Sequence, residues 1–233
     1  MSFEGINRKT GEVLSSSYAP LPGIFYSSSD DPHPYKEAPD VNTCMESLLT
    51  THSFYKTVFR RNSVDDQGLQ LMVLGNSDGN SRFGRFAGIF KPGSMVASLD
   101  IIAHELTHGM TQHTAKLKYE LQSGALNESI SDVFASTVVQ WSRDQIVHEV
   151  DWLIGANIIN PNSEPLKGSK REATSLRSMK DSSAKTNLDP QPDIMKHKLY
   201  YKGDNSWDYG GVHRNSGVPN FAFYEVAMAL GAA

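Results

Sequence analysis

An α+β fold, with a β-rich half over residues 1–97 and a helical half over 98–233, is predicted by three stretches of this chain. Between Asn62 and Phe90 glycines every few residues break the sequence into short apolar runs, which suggests brief strands and turns. From Ser123 to Trp141 apolar residues recur at helical spacing, and the stretch after Gly211 turns into a further helix. Between the halves, SLDIIAHELTHGMTQH at 98–113 is read as the helix that joins them. Strands and helices segregated in this way make an α+β arrangement.

Residues 1–40 are rich in Ser, Pro, Gly and Asp and keep no sustained period, so they read as a loop or arm. From Asn42 to Arg60 the apolar set Met45, Leu48, Leu49, Tyr55, Val58 and Phe59 suits an amphipathic helix with Asn42 or Thr43 at its start. His52 on that helix is read as a packing residue rather than a ligand. In the glycine-punctuated segment, Asp65, Asp66 and Asp78 fall in solvated turns, because their spacing does not match D-x-[DN]-x-[DN]-G with its downstream Glu.

The 98–113 helix carries H-E-x-x-H at His104, Glu105 and His108. Four residues apart on a helix, the two imidazoles share a face and can grip one Zn²⁺, which keeps a position open for water in catalytic sites. Glu105 then lies beside the metal without ligating it, placed to take a proton from that water. The alternative is a surface helix whose histidines happen to fall four apart.

A zinc held by two histidines usually takes a carboxylate as third ligand. The next helix supplies one. Leu126, Ile130, Val133, Phe134, Thr137, Val138 and Trp141 form its apolar set, Ser123 is its expected N-cap, and Glu128 and Asp132 share a face. Two acids amid apolar residues are costly to bury unless paired or bound to metal. Glu128 is assigned to zinc and Asp132 to orienting a ligand imidazole through its other ring nitrogen; the alternative is two acids on a solvated stripe. Residues 143–207 are polar and expected to be irregular and surface-lying. The last stretch opens with a glycine turn and becomes a helix with Ser216 as cap and Pro219 in its first turn, His213 lying just before it.

Composition narrows the partners. At 233 residues, 39% hydrophobic and 21% charged, the chain suits a soluble globular protein of one or two domains, with no membrane span. A net charge of -4 and a pI near 6.0 give no electrostatic reason to bind nucleic acid or anionic lipid. The lone Cys44 excludes an intrachain disulfide. MSFEGINRKTGEV has no apolar core of signal-peptide length, so export by that route is not expected unless a signal and propeptide precede this segment.

HELTHGMTQHTA at 104–115 followed by GALNESISDVF at 124–134 resembles the thermolysin-type zinc endopeptidases, with SLRSM at 175–179 and GGVHRNSGVPN at 210–220 as later signatures in the right order. DWLIGA at 151–156, SLRSMK at 175–180 and DPQP at 189–192 are similar to the protealysin-like subgroup, and the resemblance runs from about Asn42 to about Leu230. It implies a zincin fold, Zn²⁺, peptide or protein substrates cleaved before apolar residues, and secretion. It also implies that His213, steered by Asp208 and joined by Tyr119, stabilises the developing oxyanion, that Arg177 holds a substrate carbonyl, and that Leu176 walls the apolar specificity pocket. For Arg177 a structural ion pair is the alternative, and for His213 a solvent-facing turn. An inhibitor or propeptide is the implied protein partner.

The sequence departs from the family at three places. The edge strand that holds substrate in the family, expected between Leu71 and Met72, is absent. The family calcium site would use Asp100 and Asp151, but Val139, Leu153 and Ala156 stand where three further carboxylates belong, so that site is expected to be weak or lost. The family's later covering helices do not follow Leu230, which leaves Phe221, Val226, Met228 and Leu230 short of cover. A zinc-dependent endopeptidase is the expected function; the alternative is a zinc-binding chain without turnover, and a zinc hydrolase of non-protein substrates is a weaker third.

Overall fold

The computed structural model describes residues 39–69, 71, 89–91, 95, 98–160, 162 and 173–231. Helix α1 (Pro39–Phe59) buries Cys44, Ser47, Leu48, Thr51, Phe54 and Tyr55, a stripe at three- and four-residue steps. The stripe includes two hydroxyl residues and leaves Leu49, Val58 and Phe59 exposed, so the buried face is rotated from the purely apolar one expected. Thr51 is tolerated there because its hydroxyl donates to Ser47 O at 2.8 Å. His52 is half-buried. The helix stops at Phe59, where Arg60 takes a left-handed φ of 55°.

The expected strands of the first half fall mostly outside the described residues, as do the 1–38 arm, Asp78 and the Leu71–Met72 junction. What is described there is turns and one bridge. Gly68 N donates to Asn62 O at 3.1 Å, Asp65 accepts from Gln67 N and Leu69 N, Asp66 accepts from Asn62 N, and Phe90 pairs antiparallel with Ile159.

Helix α2 (Leu99–His113) lies between α1 and α3 (Leu121–Ser142). Its first turn is anchored by Asp100, whose carboxylate accepts from Ser98 Oγ, from Ile101 N at 2.9 Å and from Gly155 N at 2.6 Å. An acid there also suits the positive end of the helix dipole. Strands β1 (Leu153–Ile154) and β2 (Arg177–Ser178) form an antiparallel pair that matches Leu153 with Ser178 and Ile154 with Arg177, amid the irregular backbone expected for this region. The main core joins Phe54, Tyr55, Ala103, Met110, Val138, Trp152 and Met179; a second gathers Ile89, Phe90, Ile101, Ile158 and Leu188. Each fully buried apolar side chain of this size contributes roughly 1.5–3 kcal/mol.

Two expectations about the later helices are corrected. Helix α3 starts at Leu121 with Glu120 at the N-cap, not at Ser123, and its buried residues are Gly124, Ala125, Asn127, Glu128, Ser129, Ser131, Asp132, Ala135, Ser136 and Val138; of the expected apolar set Val138 is buried, and Val133 and Phe134 pack against the core. Leu126 and Trp141, assigned to an apolar stripe, are exposed. Small residues let α2 and the next helix approach closely, and the acids go inward because partners wait for them there. Further on, the expected glycine turn is present, with left-handed φ at Tyr209, Gly210 and Gly211, and His213 follows it within a short helix α4 (Asp208–Asn215). Ser216, in helical conformation, joins α4 to α5 (Gly217–Gly231) instead of capping it. On α5, Val226 and Leu230 are exposed, while Phe223 and Tyr224 pack edge-on against Trp152.

A candidate metal centre between three helices

His104 and His108 project from successive turns of α2 toward α3, their rings edge-on with centroids 4.7 Å apart. The outer nitrogen of each ring has an acceptor. His104 Nδ1 lies 2.9 Å from Asp132 Oδ1; His108 Nδ1 lies 2.8 Å from Asn127 Oδ1 and 3.1 Å from Ser131 Oγ. Asn127 Nδ2 turns toward Leu117 O, so its carbonyl oxygen faces the imidazole. With Nδ1–H donated outward in both rings, the two Nε2 lone pairs converge at 3.0 Å.

Glu128 closes the set from α3. Its Oε2 lies 3.5 Å from His104 Nε2 and its Oε1 3.3 Å from His108 Nε2, in a fully buried side chain whose Oε2 has no hydrogen-bond partner. Two imidazole nitrogens and a carboxylate oxygen, all within 4.8 Å of one another, are the donors a tetrahedral zinc takes in a three-ligand site. A cation between them would satisfy both lone pairs and the orphaned oxygen. These residues fit the metal. Among the described residues no other group of three or more His, Cys, Asp or Glu is so placed. Asp100, expected at a calcium site, spends its carboxylate on α2 and Gly155, and Asp151 accepts from Leu153 N at 3.0 Å.

The field in this pocket favours positive charge. Burial disfavours the His104 imidazolium, but hydrogen bonds and charge from Asp132 and Glu128 outweigh it and push the group up to about 10. Glu128 is opposed by burial yet held well below the usual carboxylate range by His213, His104 and His108. Asp132, also opposed by burial, is lowered by Arg177 and His104. Each buried acid is thus matched by cationic or donor groups.

On the far side, α4 presents His213. Its Nδ1 meets Asp208 Oδ1 at 2.5 Å and its Nε2 lies 3.1 Å from Tyr119 Oη and 3.5 Å from Glu128 Oε1. Burial works against its charged form, and Glu128 with Asp208 raises it above the usual imidazole range. The Tyr119 hydroxyl donates to Glu128 Oε1; burial and then the Glu128 charge push it up, so it remains a donor. Glu105 is half-buried on α2 beside His104. Arg177 is buried, with Nη2 2.8 Å from Asp132 Oδ1 and Nη1 3.9 Å from Glu128 Oε2, which is the ion-pair geometry. Leu176 packs against the second core cluster, next to Arg177 in sequence.

The structure therefore brings His104, His108, Glu128, Asp132, Tyr119, His213, Asp208 and Arg177 into one cluster. It also adds groups that the sequence reading does not name. Asn127 and Ser131 hold His108, Gln191 Nε2 donates to His213 O at 2.5 Å, and Asn220 Nδ2 donates to Asp132 Oδ2 at 2.9 Å. Asn127 alone carried a sequence signal, as the neighbour of Glu128; Gln191 and Asn220 arrive from distant segments.

Known proteins resemble the chain over most of its length. The family model described as the thermolysin metallopeptidase catalytic domain matches residues 21–112, and that of the thermolysin metallopeptidase alpha-helical domain matches residues 115–232. An extracellular metalloprotease of Pectobacterium carotovorum subsp. carotovorum is 38% identical over 210 residues, 82% of this chain and 56% of the relative. Protease PrtS of Photorhabdus sp. (strain Az29) is 38% identical over 228 residues, 91% of this chain and 57% of that protein. Neutral protease NprE of Bacillus pumilus is 33% identical over 237 residues, 94% of this chain and 68% of that protein. Among solved structures, the precursor of protealysin, a metalloproteinase from Serratia proteamaculans, is similar with a TM-score of 0.73 and 33% identity, over 91% of this chain and 66% of that one. The chain spans a little over half the length of the first two of these relatives. With one family model ending in α2 and the other beginning just after it, and a matching fold, the chain belongs to the thermolysin metallopeptidase family.

Proposed function

We propose that the chain is a zinc-dependent endopeptidase that hydrolyses internal peptide bonds on the amino-terminal side of apolar residues. The reading rests chiefly on one observation: the Nε2 atoms of His104 and His108 converge at 3.0 Å beside a buried Glu128 oxygen that accepts no hydrogen bond from the described residues. Zinc bound there would supply Lewis acidity, lowering the pKa of a water and polarising the scissile carbonyl. Glu105 takes the proton of the attacking water and hands it to the leaving amine. His213, steered by Asp208, and Tyr119 donate to the carbonyl oxygen as it gains charge; their 3.1 Å contact sets the two donors side by side. Arg177 binds a substrate carbonyl, and Leu176 walls the pocket for the apolar side chain. Relatives named as extracellular support secretion, and the likeness to a precursor supports a propeptide or inhibitor as partner. Among the described residues no helix is long and apolar enough to cross a membrane.

A second reading, zinc binding without turnover, is favoured by the sequence departure between Leu71 and Met72. An internally quenched peptide with a Gly-Leu bond separates the two when wild type and Glu105→Gln are compared at equal zinc content. Turnover by wild type that disappears in the variant is expected, since the amide cannot take the proton but leaves the ligands untouched. Undiminished turnover in Glu105→Gln would mean another base; none in zinc-loaded wild type would favour the second reading.

A further inference from the structure

Helix α5 buries little of itself: of its residues only Gly217 and Asn220 are buried. Asn220 is fully so, and it is a poor choice for packing. Its Oδ1 has no hydrogen-bond partner among the described residues, and a buried amide with half its hydrogen-bonding capacity idle costs stability that an apolar side chain would not. The other half is well placed. Nδ2 donates to Asp132 Oδ2 at 2.9 Å, and the amide cannot be turned over, because its carbonyl oxygen would then face a carboxylate.

Asp132 is where three elements meet. Its Oδ1 takes the Nδ1–H of His104 from α2 at 2.9 Å and Arg177 Nη2 from β2 at 2.8 Å, leaving Oδ2 to the amide from α5. With donors on both oxygens the carboxylate plane is set, and with it the direction of the His104 ring and its Nε2 lone pair. Arg177 and His104 both pull on the one oxygen; Asn220 holds the other and opposes rotation of the carboxyl group.

We infer that Asn220 is a positioning residue of the metal centre, tying α5 through Asp132 to His104 and raising the affinity for zinc. This rests on the zinc reading above. It predicts a split between metal affinity and stability that a merely structural asparagine would not produce. The test is a zinc dissociation constant, measured by competition with a chromophoric chelator, alongside the melting temperature of the metal-free chain. Wild type, Asn220→Ala, Asn220→Ser and Phe223→Ala are compared, Phe223 being a packing residue of the same helix. Asn220→Ala is expected to weaken zinc by roughly 10-fold, the lower end of what losing a group bonded directly to a ligand costs, because Asn220 acts one bond further out through Asp132. Asn220→Ser, which keeps a donor at shorter reach, should lose less but still bind more weakly than wild type, and it decides the matter if the alanine variant does not fold. Phe223→Ala should lower the melting temperature and leave the dissociation constant unchanged. Asn220 variants that bind zinc within about twofold of wild type, or a Phe223→Ala chain that loses affinity as they do, would overturn the inference. A wild-type chain that binds no zinc would overturn the zinc reading itself, and this inference with it.

Discussion

Asp208 serves His213 twice, by accepting its ring Nδ1–H on Oδ1 and its backbone N–H on Oδ2 at 3.0 Å. To do so the backbone runs through four consecutive left-handed residues, φ 49° at Asp208 and Tyr209 and 89° and 79° at Gly210 and Gly211. Glycine takes that conformation freely, but the two residues with side chains cost about 1–2 kcal/mol each. Strain of this kind is kept where the surroundings hold it, here at a histidine facing the candidate metal ligands. The consequence is a pH dependence. Burial alone would lower the His213 pKa, and Glu128 and Asp208 instead raise it, so the protonated donor survives to higher pH than an ordinary imidazole. Asp208→Asn removes one of the raising charges. The alkaline limb of the kcat/KM profile for peptide hydrolysis is therefore expected to move to lower pH, with a smaller kcat/KM on its plateau. A limb that stays in place would mean that another group titrates there.

Helix α3 shows how an element's fold can be legible while its orientation is not. Its existence followed from apolar periodicity, and the pairing of Glu128 with Asp132 on one face followed from spacing. The buried face was legible only at Val133, Phe134 and Val138, because Gly124, Ala125, Ser131, Ala135 and Ser136 carry no apolar bulk to mark the rest; their burial follows from close approach to α2 and α4, which no local pattern records. The same contrast appears on α1, where Ser47 and Thr51 are buried and Phe59 is not. Gly124 gives the sharpest test of that packing. A Cβ added there would collide with Val212 Cγ1 on α4 and come within 3.0 Å of the Tyr119 carbonyl carbon. Gly124→Ala should destabilise the chain by about 1–3 kcal/mol, the usual cost of overpacking, despite alanine's better helix propensity. Urea unfolding checks this, and an unchanged or higher midpoint would show that α3 and α4 have room to part.

At the scale of the whole molecule, helices α2, α3 and α4 and strand β2 bring distant segments of the chain to one point. His104 and His108 come from one helix, Glu128 and Asp132 from the next, Arg177 from a two-residue strand, and His213 from the turn of helix before α5. The convergence of the candidate metal set was legible because a helical motif carries its own geometry: four residues apart means one face. Tyr119, His213, Asp208 and Arg177 were legible only through resemblance, since no local rule joins residues ninety positions apart. Gln191 and Asn220 were not legible at all, being single amides in loop and helix whose roles exist only once the fold has formed. All of these groups converge on one predicted object, a cation held by two imidazoles and a carboxylate. Zinc content per chain after exhaustive dialysis, measured for wild type and for His108→Ala, tests this most directly. The account predicts about one zinc per wild-type chain and a near-complete loss in the variant, because two remaining ligands do not hold the metal; equal zinc in both chains would contradict it.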